Sequence, residues 1–335
     1  METCLKYRYI AGACALSLTA ACVQAQSLVK VYGVADAGIV LERGGPAGSM
    51  DNVSSGVASG SRLGFKGKED LGDGLSAFFV LENGIGMDTG KAGQGGLLFG
   101  RQALVGLSGA AGSISLGRQY APYYKALRDI ADPFCTGLAG NAQNIFSTLT
   151  RVDNSVDYQS PKWHDLQAEV LYGAGEVAGD TAKHRTIGAS ATYEAGPLTV
   201  VLAHHQQGDM AGVAHSRNTM LVGRYRYGDV VFHGAYSRNR DLLGNPSRDA
   251  LVGVAVRMGP GRWLASLMAH RDDFGRDAQA RQAAIGYEYS LSQRTDLYAA
   301  YGHIVNRDGA NYHVGNATDS GTGTTGINLG VRHVF

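Results

Sequence analysis

Residues Leu221–Ser237 read LVGRYRYGDVVFHGAYS and contain the pattern that decides the fold. On each side of the turn at Tyr227–Asp229, apolar or aromatic residues recur at every second position, with polar or small residues between many of them. A period of two is typical of a β-strand with one apolar face, whereas a helix repeats its apolar residues three and four positions apart. The segment therefore predicts a β-hairpin.

The same alternation recurs along most of the chain. Leu166–Gly173 and Ile285–Leu291 each alternate between an apolar and a more polar set, and helical spacing hardly persists beyond two turns anywhere. We therefore expect an all-β protein.

Short turns and long polar links alternate between these strands, and both kinds are marked by Gly, Pro, Asp and Ser. Fifteen connections join sixteen strands, and about 19 residues per strand and link fit strands of about 9–11 residues that cross a membrane at a tilt. The seven short turns are Asp70–Gly74, Gly109–Gly112, Ser160–Asp165, Glu194–Pro197, Tyr227–Asp229, Gly259–Gly261 and Ser290–Arg294, and the eight long links lie near 43–60, 86–96, 120–150, 176–184, 208–218, 241–249, 273–280 and 306–325.

A soluble β-sandwich or propeller would also alternate, but it would not need one rim of short turns and one of long loops. A closed barrel satisfies every backbone N–H and C=O without an edge, as the hydrocarbon layer requires. Tyr193, Tyr227, Tyr289 and Tyr301 are expected at strand ends, where a headgroup belt favours amphipathic rings. The pattern predicts a 16-stranded antiparallel transmembrane β-barrel, whose last strand closes against the first at Ser27–Leu41.

Composition excludes several other classes. The chain has 335 residues, 44% of them hydrophobic, and a net charge of +1. That apolar content argues against intrinsic disorder, and the absence of a Lys/Arg block argues against nucleic-acid binding. No cofactor or metal site is expected, since no Cys/His pair has the spacing of zinc ligands.

The first 25 residues resemble an export signal. Lys6 and Arg8 precede an apolar stretch and small residues that end at Ala25, which predicts a secretory signal peptide at 1–25 and a barrel domain at 26–335. The apolar stretch is too short for a membrane anchor. A lipoprotein signal ending at Cys22 is the alternative, but the usual Leu three residues before that cysteine is missing. Cleavage after Ala25 would leave Cys135 as the single cysteine.

Six stretches together resemble the general diffusion porins of the β-proteobacterial type, and they span the whole mature chain. The resemblance implies a homotrimeric barrel in the outer membrane of a Gram-negative bacterium that passes small hydrophilic solutes and ions, contacts lipid and lipopolysaccharide, and folds its third long loop inward as a constriction. It also implies that Phe335 is read by the outer-membrane assembly machinery. The stretches are VYGVADAGIV (31–40), SRLGFKGKEDLGDGLSAFFVLENG (61–84), SLGRQYAPYY (115–124), DPFCTGLAGNAQN (132–144), NSVDYQSP (154–161) and GVRHVF (330–335).

The third long link, residues 120–150, is the loop expected inside the barrel. Its aromatic and aliphatic residues need burial, and Pro122 and Pro133 frame a short helix predicted over 121–131. Asp129 and Asp132 are the acids best placed to line the narrowing. The alternative is that they only cap or turn the backbone and never meet solute.

Basic residues are expected on the facing wall. Arg62 and Lys66 share the polar face of their strand, and an arginine facing lipid near the midplane would cost about 2–4 kcal/mol. The resemblance extends this basic cluster to Arg101 and Arg151, whereas Arg118 is ambiguous because it shares parity with Leu116. Four basic groups against two acids predict a mild preference for anions; the alternative is a purely structural set of wall salt bridges.

Three other functions fit the sequence less well. A substrate-specific channel is the main alternative, but it would show an aromatic track along the lumen, where Gly, Ser, Ala and charged residues prevail. A barrel-embedded enzyme is not expected, since neither a Gly-x-Ser-x-Gly nor a His-Glu-x-x-His motif occurs. An adhesin or a purely structural barrel would conduct nothing.

Overall fold

The computed structural model describes residues 28–275 and 277–335. The predicted signal peptide at 1–25 lies outside these residues. Seventeen antiparallel strands form one sheet: β1 Leu28–Gly45, β2 Gly48–Ser55, β3 Arg62–Gly72, β4 Leu75–Gly84, β5 Gln102–Gly109, β6 Gly112–Tyr120, β7 Arg151–Gln159, β8 Leu166–Gly173, β9 Thr186–Ala195, β10 Leu198–Gly208, β11 His215–Tyr227, β12 Val230–Arg240, β13 Pro246–Met258, β14 Gly261–Asp272, β15 Gln279–Ser290, β16 Thr295–Arg307 and β17 Thr325–Val334.

The sheet closes into a barrel with sixteen wall positions. From β3 onward each strand pairs with the next, and β17 pairs with β1, Val334 lying opposite Val34 and Thr325 opposite Arg43. Strands β2 and β3 both pair with the same side of β1, so together they fill one position of the wall. The predicted 16-stranded barrel and its closure by the last strand are confirmed.

The predicted long link at 43–60 is wrong in its details. Strand β1 continues to Gly45, a two-residue turn follows, and β2 occupies residues 48–55. Only residues 56–61 leave the wall, where the Asp36 carboxylate accepts the backbone N–H groups of Val57, Ala58 and Ser59. These bonds give acceptors to backbone amides that have no partner in the sheet. A hairpin and a short inward segment therefore replace the predicted long link.

The two faces of the wall differ as the alternation predicts. On β13 to β16 the large side chains of one parity, such as Val252, Leu267, Ile285 and Tyr301, are 44–61% exposed. Those of the other parity face inward and are mostly buried. Tyr193, Tyr227 and Tyr289 are exposed near the short turns. Tyr301 is also exposed but lies midway along β16, not at the strand end that the sequence predicted.

Segment 121–150 packs against the inward-facing side of the wall. It contains helix α1 (Pro122–Ala126), a π-helical turn (Leu127–Ala131) and a 3₁₀ turn (Ala142–Asn144), and a second 3₁₀ turn at Gln94–Gly96 lies in the β4–β5 connection. Helix α1 contacts β8, β9 and β10, and the π-helical turn contacts β11 and β12. In the described part of the chain, no helix is long and apolar enough to cross a membrane.

Burial of apolar side chains holds this segment in place. Tyr123, Leu127, Phe134 and Phe146 are at most 4% exposed and join one cluster with inward-facing wall residues such as Met220. Each fully buried side chain of this size contributes about 1.5–3 kcal/mol. Glycines let the backbone approach closely: a Cβ at Gly253 would lie 2.8 Å from Pro133, and one at Gly286 would lie 2.8 Å from Phe134.

Candidate functional site

A cavity of about 690 Å³ lies between segment 121–150 and the wall of β3 to β7. Seven basic side chains line it, against only three acidic ones. The lining is therefore predominantly basic, although Lys125 and Arg332 also pair with carboxylates that lie just outside it, on Glu169 and Asp296. The basic residues are Arg62, Arg101, Lys125, Arg128, Arg151, Arg262 and Arg332, and the acids are Glu82, Asp129 and Glu288.

Glu82 anchors the basic cluster on one wall. Arg101 Nε donates to Glu82 Oε1 at 2.7 Å, and Arg62 Nε lies 3.6 Å from Glu82 Oε2. The hydroxyl of Tyr32 donates to the same carboxylate at 2.9 Å. Glu82 is 4% exposed, so one buried carboxylate compensates two guanidinium groups and leaves a net positive charge at the cavity surface.

Tyr120, the last residue of β6, joins two of the predicted arginines. Its hydroxyl accepts bonds from Arg101 Nη2 at 2.8 Å and from Arg151 Nη2 at 3.2 Å. Arg151 also lies over the Tyr120 ring at 4.8 Å and donates to the Arg101 carbonyl. The structure therefore brings Arg62, Arg101 and Arg151 together at one cavity.

Segment 121–150 adds its own cation to the cavity. Arg128 makes a bidentate pair with Asp129 at 2.6 and 2.9 Å and lies over the rings of Tyr120 and Tyr124 at 4.9 and 5.3 Å. Lys125 pairs with Glu169 on β8. Asp129 is exposed and lines the cavity, but its charge is matched by Arg128.

The opposite wall contributes a second basic cluster that the sequence reasoning missed. Arg262 on β14 donates two bonds to Glu288, and Arg332 on β17 pairs with Glu288 and Asp296. The available signal was parity: Arg262 alternates with Trp263, and only one of the two can face lipid. Parity alone, however, does not tell which strands face each other across the lumen.

Lys66 faces inward as predicted but is not among the residues that line this cavity. Its ammonium lies 5.0 Å from the centre of the Tyr32 ring. Arg118 lies in the register of exposed Leu116 and pairs with Asp153, so it faces outward. Strict alternation would place Asp153 on the inward face with Arg151, but Asn154 has φ +50° and interrupts the alternation of β7, so Asp153 is exposed beside Arg118.

Asp132 was expected at the narrowing beside Asp129, but it is absent from the lining of the 690 Å³ cavity and lies at the edge of a smaller cavity below it. It is 1% exposed, and its carboxylate accepts the backbone N–H groups of Phe134, Thr136 and Ala142, each at 2.9 Å. Burial raises its pKa to about 7, although these bonds oppose the shift. The folded segment therefore binds a proton at Asp132 that the unfolded chain would release. This proton binding stabilises the folded state fully at acidic pH, and the stabilisation is lost as the pH rises through about 7.

The two acids should therefore respond differently to substitution. We expect Asp132→Ala to leave three amides without partners, at about 1–3 kcal/mol each, and to increase open-channel current noise without changing ion selectivity. Asp129→Asn should do the opposite, since removing one lumenal negative charge favours anions about threefold. Single-channel recording with reversal potentials measures both quantities. Equal noise in the two variants would contradict the structural role of Asp132.

Two further cavities extend the lumen and differ in charge. A cavity of about 370 Å³ toward the short-turn rim is lined by four arginines and three aspartates, namely Arg224, Arg226, Arg257 and Arg262 with Asp129, Asp132 and Asp229. One of about 710 Å³ toward the long-loop rim has four aspartates and no Lys or Arg in its lining. Segment 308–324 lies at this end, where Asn316 and Gly315 hydrogen-bond with Asn141 and Asn144. Lys and Arg side chains therefore line the lumen from segment 121–150 toward the short turns, and the described cavity at the long-loop end has acidic ones only.

Comparisons with known proteins agree with this architecture. A family profile described as Gram-negative porin matches residues 12–309. Outer membrane porin protein 32 of Delftia acidovorans is 29% identical, over 93% of this chain and 95% of its own. An outer membrane porin protein of Bordetella pertussis is 30% identical, over 94% and 96% of the two chains.

Solved structures show the same fold. The anion-selective porin from Comamonas acidovorans has 27% identity and a TM-score of 0.81, covering 92% of this chain and all of its own. OmpT of Vibrio cholerae in a trimer form, at 16% identity, covers 92% of this chain and 99% of its own with a TM-score of 0.70 and is similar in fold alone.

The profile covers most of the chain, and both relatives match nearly their full length. The protein is accordingly a multi-pass barrel of the outer membrane that acts as a channel and not as an enzyme. This chain belongs to the Gram-negative porin family.

Proposed function

We propose that this porin forms a water-filled channel for small hydrophilic solutes and ions with a preference for anions. The excess of seven basic over three acidic side chains around the 690 Å³ cavity carries this proposal. A fixed positive field in a narrow, low-dielectric pore raises the local anion concentration and repels cations. The tyrosines at this cavity, Tyr32, Tyr120 and Tyr124, bond or stack with its charged side chains and do not form a track along the lumen, which favours a general pore over a substrate-specific one.

Segment 121–150 acts as the constriction in this proposal. Its apolar side chains pack on the wall of β8 to β16, while Arg128 and Asp129 remain at the cavity. This arrangement narrows the lumen on one side and leaves the basic wall of β3 to β7 accessible on the other. Solute would then pass between two charged surfaces.

The proposal includes export, assembly and oligomerisation. Residues 1–25 would be removed as a signal peptide. Phe335 is 48% exposed and exchanges backbone hydrogen bonds with Gly33, which leaves its ring accessible to the assembly machinery. A homotrimer in contact with lipid and lipopolysaccharide is proposed from the family and from the trimer form of the Vibrio cholerae protein.

Planar-bilayer recording of the mature chain tests the proposal. We expect stepwise insertion, closures in groups of three, and a reversal potential in a KCl gradient that shows anion preference. Clear cation selectivity would overturn the assignment of the basic cluster, and an absence of conductance would overturn the channel itself. Saturation of the current by one solute class, with competition between solutes, would instead identify a substrate-specific channel.

A further inference from the structure

The outward face of β11 to β16 carries a row of arginines that the channel does not use. All seven are exposed, and each shares its parity with exposed apolar residues further along its strand. We call this set the arginine belt; it consists of Arg217, Arg238, Arg240, Arg248, Arg271, Arg281 and Arg307.

The belt brings like charges directly opposite each other. Arg238 lies opposite Arg248, and Arg248 lies opposite Arg271, on three neighbouring strands. Arg217 likewise lies opposite Arg240. Like charges at such positions destabilise a sheet, so the arrangement favours a negatively charged group outside the wall that bridges them.

The chain itself neutralises only part of this charge. Arg248 pairs with Asp273 and Arg271 with Asp277, each at 2.7 Å. The other five have no salt-bridge partner within residues 28–275 and 277–335, and the outward positions of β11 to β16 contain no Asp or Glu. On the other half of the barrel, the outward-facing Arg43 and Arg118 are paired with Asp51 and Asp153.

The position of the arginine belt along the strands indicates which layer of the membrane surrounds it. On β14 the outward residues from Trp263 to Ala269 are aromatic, aliphatic or small, and Arg271 follows them at the long-loop end. On β12, Arg238 and Arg240 follow the exposed Phe232 and Tyr236 in the same way. In an outer-membrane barrel, long loops face the outside, so the belt lies at the headgroup level of the outer leaflet.

An apolar groove runs along the wall below the belt. Its upper part, of about 420 Å³, is lined by Ala283 and Val305 together with Arg281 and His303. Its lower part, of about 560 Å³, is lined by Leu267, Ile285 and neighbouring residues, almost all of them apolar. A slot for a hydrocarbon chain that ends at a guanidinium fits a lipid and not a free anion.

We propose that the arginine belt binds the phosphate groups of a phosphorylated glycolipid in the outer leaflet, with one acyl chain in the groove beneath Arg281. This inference rests on the outer-membrane placement of the protein and deepens the proposed contact with lipopolysaccharide. Guanidinium groups bind phosphate with paired, charge-assisted hydrogen bonds, which suits closely spaced arginines at a membrane surface. The bound lipid would relieve the repulsion within the belt.

The test compares two charge-matched variants of the mature chain in detergent. Arg217→Gln/Arg238→Gln/Arg281→Gln removes three unpaired belt charges, and Lys68→Gln/Lys162→Gln/Arg294→Gln removes three exposed charges toward the short-turn rim. Native mass spectrometry measures binding of purified lipopolysaccharide. We expect the belt variant to bind at least about tenfold more weakly than the unmodified chain and the control variant to bind as the unmodified chain does.

Binding measurements with two further ligands identify what the belt recognises. Dephosphorylated lipopolysaccharide should bind weakly to every variant, and inorganic phosphate should not displace the intact lipid. Equal binding by the belt variant, or by the dephosphorylated lipid, would overturn the proposal, and displacement by inorganic phosphate would point to a free anion instead. Conductance of the belt variant should be unchanged, so failure of the belt and failure of the channel are separate results.

Discussion

The double variant Arg62→Gln/Arg151→Gln should lower the anion-to-cation permeability ratio by about an order of magnitude. A unit charge about 7 Å from an ion in water changes its energy by about 0.6 kcal/mol, which corresponds to about a threefold change in local concentration. The variant leaves five basic against three acidic side chains at the cavity. Glutamine retains most of the side-chain volume, so the pore should change in charge more than in width.

Arg101 stays intact in this variant for a physical reason. It makes the 2.7 Å bond to Glu82 and is 9% exposed, so removing it would leave a buried carboxylate poorly compensated and disturb the wall. Reversal potentials in a KCl gradient measure the effect, which should grow as the salt concentration falls. The matched control is Arg217→Gln/Arg238→Gln, which removes the same charge from the outer face. A ratio that changes equally in both double variants would contradict a lumenal role for Arg62 and Arg151.

Chemical labelling of Cys135 should reduce conductance by roughly half or more, because a narrow pore is sensitive to added volume. Cys135 is exposed at the turn after Asp132 and lines both the 690 Å³ and the 370 Å³ cavities, so it lies where the two meet. Desolvation of the thiol by surrounding atoms raises the pKa of Cys135 to about 11, so labelling needs alkaline pH.

A charged reagent should also change ion selectivity, in a direction set by the sign of its charge. A sulfonate-bearing methanethiosulfonate reagent should weaken anion preference, and a trimethylammonium-bearing one should strengthen it, although both reduce conductance. Cys135→Ser, treated identically, is the control for labelling elsewhere. If mass spectrometry shows complete labelling while conductance and selectivity stay unchanged, Cys135 does not line the conducting path.

Alternation was sufficient to predict the wall because a barrel in a membrane has two chemically different faces. A residue such as Leu267 must meet lipid, and its neighbour Ser266 must not. The same reasoning placed Arg62 inside. It failed for Asp153, because Asn154 has a positive φ and the pairing of β6 with β7 is irregular at this point, so strict alternation is interrupted there.

The two acids of segment 121–150 show a second feature that alternation could not predict. Asp129 and Asp132 are three residues apart and equally charged, yet one is exposed at the cavity and the other is enclosed by three backbone amides. Sequence composition indicated that this segment needs burial, and Pro122 and Pro133 correctly framed its helical part. Which carboxylate turns inward depends on the path of the backbone after Asp132, and no periodic pattern encodes that path.

The sequence by itself determined that the chain is a sixteen-stranded barrel with a polar interior and an apolar coat, because period-two alternation and turn spacing are local properties. The tertiary structure alone decided which charges act together. Strand pairing brings Arg62, Glu82 and Arg101 to the same cavity as Tyr120. Closure of the sheet adds Arg262 and Arg332 to that cavity. Electrostatic fields depend on distances in space, and barrel closure sets those distances between residues that lie up to 270 positions apart, as for Arg62 and Arg332.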